Sequence, residues 1–223
     1  MVRLLVEVQA SHVGIGKSTF VEKLGYPWID DCVNLVESDP PFFYGPREDI
    51  FQNDADNDLL RAYLVLENFA ASLDKLSGEL SNDWTIVASR SPVISSVQFA
   101  NHVNDWKPLA KFYRKRLDHL KVNRVLVLDY GSSIQANKTF LENAFRRMKQ
   151  RGRQFELNAF NTFETYCQFF EAAESKKIEI VETYLKEPEF FKYEAMTFHD
   201  FDETDIQYAN KLIWDFREMF AGK

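Results

Sequence analysis

The apolar positions along the chain change period several times, and each change marks an element. Residues 2–9, VRLLVEVQ, form an almost unbroken apolar run, which predicts a strand buried on both faces. The same texture recurs at 33–37 (VNLVE), 84–88 (WTIVA) and 124–129 (RVLVLD), and 193–198 (YEAMTF) supplies a last strand. Between these runs the spacing becomes helical. Leu59, Leu60, Tyr63, Leu64, Leu66, Phe69, Ala70 and Leu73 recur every third or fourth position and predict a helix over 58–76. Further helices are expected from Lys17 to near Gly25, after Pro92, and over 107–120, 133–150, 158–174 and 203–220, whereas 178–192 follows neither period. Strands alternating with helices imply an α/β fold: a five-stranded parallel sheet with helices on both faces, in one domain over 1–223. In such a sheet, ligands sit at the carboxyl ends of the strands.

Composition narrows the function. The 223 residues carry 27 Lys and Arg against 34 Asp and Glu, a net charge of −7. That balance argues against a nucleic-acid polymer as partner but not against a single phosphorylated ligand, because local charge can oppose the global sign. Cys32 and Cys167 are too few for a disulfide framework, and the four histidines do not fall into a metal-ligand spacing with them. No apolar run reaches the length of a membrane span. A reducing, cytoplasmic setting is expected. The 20 Phe point to a large aromatic core, with a few left to line a pocket.

The candidate chemistry lies in four places. Ser11-His12-Val13-Gly14-Ile15-Gly16-Lys17-Ser18-Thr19 stands after a strand and before a helix, where a phosphate-binding loop belongs. Gly14 and Gly16 let backbone N–H groups curl around an anion, and the helix N-terminus adds partial positive charge. Lys17 would reach the outer phosphates and Ser18 would hold a magnesium ion. The strict pattern wants Gly where Ser11 stands. His12 is expected to shape the loop or to face solvent. Glu37, at the end of its strand, can accept the proton of an attacking hydroxyl. Asp39, Pro40, Phe42, Phe43 and Tyr44 follow it and could wall a pocket for a planar ligand. Arg90, in Ser89-Arg90-Ser91 directly after a strand, could fix an oxygen or a phosphate near the nucleophile. The stretch 146–153, RRMKQRGR, is the one dense positive cluster. It reads as a nucleic-acid patch, as a solvated helix end, or as a lid closing arginines over transferring phosphates; beside a phosphate loop, the lid reading is strongest.

In that order, from residue 4 to about 172, these motifs resemble the deoxyribonucleoside kinase family. The family's loop, Gly-Asn-Ile-Gly-x-Gly-Lys-Ser-Thr, corresponds to Ser11–Thr19. Its Glu-Pro-Val with a following aromatic is similar to Glu37-Ser38-Asp39 with Phe42. Its Glu/Asp-Arg-Ser is similar to Ser89-Arg90-Ser91, and its lid, Arg-x-x-x-Arg-x-Arg followed by Glu, to Arg147, Arg151, Arg153 and Glu156. The resemblance implies a P-loop kinase three-layer sandwich with a lid near 146–157. It implies a homodimer that uses ATP and Mg²⁺ to phosphorylate the 5′-hydroxyl of a deoxynucleoside in nucleotide salvage. It makes Glu37 the base, puts Phe42 and Glu67 at the nucleobase, and puts Glu156 on the sugar 3′-hydroxyl. Ser89 stands where the family has an acid that organises the metal site. The family's sugar-contacting Tyr has no clear counterpart, Phe51 and Gln52 lying nearest. Where the family often reads the base with Gln, Glu67 can only accept hydrogen bonds while ionised, which would favour a base edge that presents N–H donors. Two other readings stay open: a nucleoside monophosphate kinase, with Arg47 as an acceptor cation, and a P-loop nucleotide-binding protein without kinase activity.

Overall fold

A computed structural model describes residues 1–10, 12–29, 58–99, 105–184 and 186–221. The strands are β1 (Arg3–Gln9), β2 (Trp28–Ile29), β3 (Trp84–Ala88), β4 (Arg124–Asp129) and β5 (Phe191–Ala195). The helices are α1 (Lys17–Lys23), α2 (Asp58–Gly78), α3 (Pro92–Phe99), α4 (Lys107–His119), α5 (Gly131–Gln135), α6 (Lys138–Arg151), α7 (Gln154–Ala159), α8 (Phe163–Tyr184) and α9 (Glu203–Ala221). The strands form one sheet in the order β2-β3-β1-β4-β5, and every pair is parallel.

The three central strands explain their own composition. β1 is buried from Leu4 to Gln9, because helices cover both faces of the sheet. Alternate side chains then part to opposite sides. Leu4, Val6 and Val8 join a core built with Phe20 of α1, Ala144 and Met148 of α6, Tyr166 and Phe170 of α8, and Ile213 and Phe216 of α9. Leu5 joins a second core with Leu66 and Leu73 of α2, Val93 of α3 and Leu109 and Tyr113 of α4. Each such buried side chain contributes roughly 1.5–3 kcal/mol of transfer free energy. The aromatic surplus collects mainly in the first core, where Phe20 stacks on Phe201 at 4.5 Å and Phe160, Tyr166, Phe169 and Phe170 pack ring on ring.

β3 and β4 occupy the predicted residues, while several boundaries differ. The helix expected over 133–150 is two helices, because Asn137 caps α6 by accepting the Phe140 N–H at 3.1 Å. The helix expected from 158 starts at Phe163, where the Thr162 hydroxyl accepts the Thr165 N–H at 3.1 Å, and it runs on through the ambiguous stretch to Tyr184. The last strand lies two residues earlier than its pattern, since an edge strand with half-buried residues carries a weak alternation. The pairing of Trp28 and Ile29 with Val87 and Ala88 is not foreshadowed by the sequence pattern. The strand expected at 33–37 lies outside the described residues. Among the described residues no helix is long and apolar enough to cross a membrane.

Candidate active site

The loop from Ala10 to Gly16 joins β1 to α1 at the carboxyl edge of the sheet. Gly14 and Gly16 take the left-handed φ values of 80° and 93° that the turn requires. Gly14 also has to be glycine for space: a Cβ there would stand 2.5 Å from the carbonyl oxygen of Ala144 on α6. Side chains hold the loop's carbonyls. Lys17 Nζ donates to Ala10 at 2.6 Å and to His12 at 3.2 Å, the Tyr166 hydroxyl donates to Val13 at 2.8 Å, and Arg147 Nε donates to Gly14 at 2.9 Å.

A cleft of about 460 Å³ opens over this loop. Val13, Gly14, Ile15, Gly16, Lys17, Ser18 and Thr19 line it, with Arg90 and Ser89 from the end of β3 and with Arg147, Arg151 and Arg153. The structure therefore brings together the loop, the Ser-Arg-Ser turn and the basic stretch, which are far apart in sequence. The basic stretch is the end of α6 and the start of α7. Gly152, at φ 71°, ends α6 in the left-handed conformation and turns the chain into α7. Glu156 is buried behind these arginines. It accepts Arg151 Nε at 3.2 Å and lies 3.7 Å from Arg153. Glu156 is not among the residues that line the cleft.

Sequence reasoning missed other lining residues. Lys23 comes from the last turn of α1, and Asp200 and Phe201 come from the β5–α9 connection with left-handed φ values of 64° and 50°. Positive φ at two consecutive non-glycine residues marks a constrained turn. The signal for Asp200 and Phe201 in the sequence was slight, because only the parallel β4–β5 pairing carries that turn to the cleft. Lys17, Lys23, Arg90, Arg147, Arg151 and Arg153 give the described lining six cations against the carboxylate of Asp200. An anion with several charges is the ligand such a cleft suits.

His12 corrects its expectation of exposure in part. The ring lines the cleft yet is fully buried, packed 4.5 Å from Phe170 and 5.5 Å from Tyr166. Neither ring nitrogen has a hydrogen-bond partner among the described residues. Burial, followed by the charges of Lys17 and Lys177, lowers its pKa to about 3, so the ring is neutral. Glu67, expected at the nucleobase, faces Arg116 of α4 at 3.2 Å and is not among the residues that line this cleft. Ser11, Glu37 and Phe42 lie outside the described residues.

Beside the cleft, on the face of α2 to α4, the sheet carries a belt of buried polar groups. Glu7 and Gln9 of β1, Asp129 of β4 and Ser91 after β3 are each at most 3% exposed. Lys177 of α8 contacts Asp129 at 2.5 Å and also pairs with Glu174. Burial alone would lower the Lys177 pKa, but the two carboxylates outweigh it and raise it. Burial raises the pKa of Glu174.

The strand order, the loop after β1 and the arginine-lined cleft together define a P-loop kinase fold. Solved structures to which this chain is similar include two of deoxyadenosine kinase from M. mycoides. The one with bound dATP matches over 96% of this chain and 98% of its own, at 19% identity and a TM-score of 0.50. The one with the products dCMP and a flexible dCDP matches over 97% and 99%, at 20% identity and a TM-score of 0.47. What is shared at this identity is the fold. No protein-family model matches the sequence, and no curated protein matches it.

Proposed function

We propose that the chain is a deoxyribonucleoside kinase that transfers the terminal phosphoryl group of ATP to the 5′-hydroxyl of a deoxynucleoside. The observation that carries this reading is the cleft itself. Four arginines from the β3 turn and the α6–α7 corner converge on a phosphate loop and, with Lys17 and Lys23, make six cations in a chain whose net charge is −7. Phosphoryl transfer needs little else from a protein, since positioning and charge stabilisation dominate its catalysis.

In this reading the N–H groups of the loop and of α1 bind the donor's β- and γ-phosphates, and Lys17 gives up its carbonyl partners for a phosphate oxygen. The Ser18 hydroxyl would hold Mg²⁺, which would supply positive charge to the phosphates and needs only one or two protein ligands. The lining fits that demand, with a hydroxyl at the loop and no crowd of carboxylates. Arg90, Arg147, Arg151 and Arg153 offset the charge that spreads over the transferred group and the leaving diphosphate. Glu156 holds Arg151 and Arg153 in place. A contact with a sugar hydroxyl would require Glu156 to release one of them. Glu37 takes the proton of the 5′-hydroxyl, and Phe42 walls the nucleobase. Salvage of deoxynucleosides by a homodimer follows from the same family resemblance.

The test is an acceptor panel: four deoxynucleosides and their monophosphates with Mg²⁺ and ATP, products identified by mass. A deoxynucleoside monophosphate as product is expected. Diphosphate from the monophosphates alone identifies a monophosphate kinase, and ATP binding with no transfer identifies a nucleotide-binding protein.

A further inference from the structure

Two side chains of β1 reach out of the sheet and hold the residue that follows Arg90. Glu7 and Gln9 point to the same face, as alternate strand positions do. Gln9 Oε1 accepts the Ser91 N–H at 3.1 Å, and the Glu7 carboxylate is hydrogen-bonded by the Ser91 side chain. The Tyr113 hydroxyl of α4 also donates to Glu7. Glu7, Gln9, Ser91 and Tyr113 are each at most 2% exposed. A polar group on the middle strand of a parallel sheet is expensive, the more so at Gln9, whose Nε2 has no hydrogen-bond partner among the described residues. Here, two sit on the strand that also delivers the phosphate loop. Their shared target is the turn that presents Arg90 to the cleft.

We propose that Glu7 and Gln9 are positioning residues that fix the Ser89-Arg90-Ser91 turn, and with it the approach of Arg90 to the phosphates, with Tyr113 steadying Glu7 from behind. This rests on the kinase reading of the cleft. The charge state of Glu7 then matters for geometry. Ionised, its carboxylate accepts from both Tyr113 and Ser91. Protonated, it must donate one of those bonds, so one hydroxyl has to turn away. Burial, opposed by the hydrogen bonds of Tyr113 and Ser91, raises its pKa to about 7. Tyr113 and Ser91 are the polar groups that face it. Its partners on the flanking strands, Ala88 and Val127, are apolar, and no charged side chain among the described residues shifts its titration.

The test is the pH profile of kcat between about pH 5.5 and 8.5 for the parent, Glu7→Gln and Tyr113→Phe, with both KM values and a thermal melt at each pH. Misplacing a reacting group by about 1 Å costs on the order of 10²-fold in rate, so partial loosening of Arg90 should lower kcat about tenfold. The parent should rise to its plateau through a step near pH 7. Glu7→Gln should lie flat at the parent's low-pH level, with the acceptor KM within about twofold and a melting point no lower than the parent's. Tyr113→Phe should keep the step and move it to higher pH, since Glu7 loses a donor. A folded Glu7→Gln with parental kcat and the step intact overturns the proposal. So does an unmoved step in Tyr113→Phe, which remains decisive if Glu7→Gln does not fold. If the parent phosphorylates no acceptor, the kinase reading fails on its own, and the same variants are then compared by MgATP affinity in a calorimeter. A several-fold loss in Glu7→Gln, confined to pH above about 7, supports the positioning role, and equal affinity at all pH values overturns it.

Discussion

Glu7→Gln should stabilise the protein, by an amount that depends on pH in a calculable way. The folded carboxyl has its pKa raised from 4.5 to about 7 by burial. The folded state therefore holds this proton over a range where the unfolded chain has released it, and stability falls as pH rises. Glu7 imposes no penalty below about pH 4.5, and the penalty is complete above about pH 7. Each pKa unit is worth about 1.4 kcal/mol, so the full penalty is about 3 kcal/mol. Gln keeps the shape, can still accept from one hydroxyl, and cannot ionise. The difference in unfolding free energy between Glu7→Gln and the parent should be near zero at about pH 4, under about 1 kcal/mol at about pH 5, and about 3 kcal/mol at about pH 8. For a chain of this size that corresponds to roughly 10 °C in melting temperature at the alkaline end. Urea titrations of both proteins across that range measure it. A difference that stays flat with pH, or that favours the parent at about pH 8, would refute the reasoning. Together with the kinetic experiment, this separates a residue kept for stability from one kept in spite of its penalty.

Four further outcomes follow. Gly14→Ala should cost at least about 2 kcal/mol and weaken MgATP binding, because left-handed strain adds to a backbone clash, whereas Gly16→Ala should show the strain alone, about 1–2 kcal/mol, having no neighbour within 4 Å; parallel melts and calorimetry of the pair check this. Lys177→Met should lose about 3–5 kcal/mol in urea unfolding, since Asp129 and Glu174 are left buried without their cation; a loss under about 1 kcal/mol would show that Tyr193, which donates to Asp129, compensates. His12→Phe should reduce sensitivity to acid, because the folded ring resists protonation from its ordinary 6.5 down to about 3; the variant's advantage should grow as pH falls below about 6.5, to about 2 kcal/mol at about pH 5 in urea titrations, the opposite direction to Glu7. Glu37→Ala should lower turnover by about 10²–10⁴-fold with an unchanged melting curve, as expected for the loss of a general base, and full activity would remove it from that role.

The central strands were legible because a strand buried on both faces leaves an uninterrupted apolar run, and 84–88 and 124–129 sit where that run lies. The phosphate loop was legible because its glycines, Lys17 and Ser18 are contiguous and act through backbone geometry. The edge strand and the start of α8 were harder to read. Half-buried residues blur the alternation in one, and in the other a hydroxyl cap at Thr162, not the end of an apolar stripe, sets the boundary. Glu67 shows the same limit: its place on the helix is set by local periodicity, but its partner, Arg116, comes from another helix.

The sequence by itself determined the alternating α/β architecture, the loop that can cradle phosphate and the residues able to supply positive charge, because each rests on neighbours within a few positions. Tertiary structure alone decided which of those charges meet, and it did so through the parallel sheet. Every strand ends at the same edge, so Arg90 and Asp200 meet the phosphate loop there, and the helix ends that pack beside it add Arg151 and Lys23. It also decided the surroundings of Glu7 and His12. A carboxylate in an apolar run and a histidine in a polar loop reveal nothing locally; Tyr113 and Ser91 around the one, and Tyr166 and Phe170 against the other, fix what each can do. Proton affinity depends on the surrounding dielectric and hydrogen bonds, and those exist only once distant segments have packed.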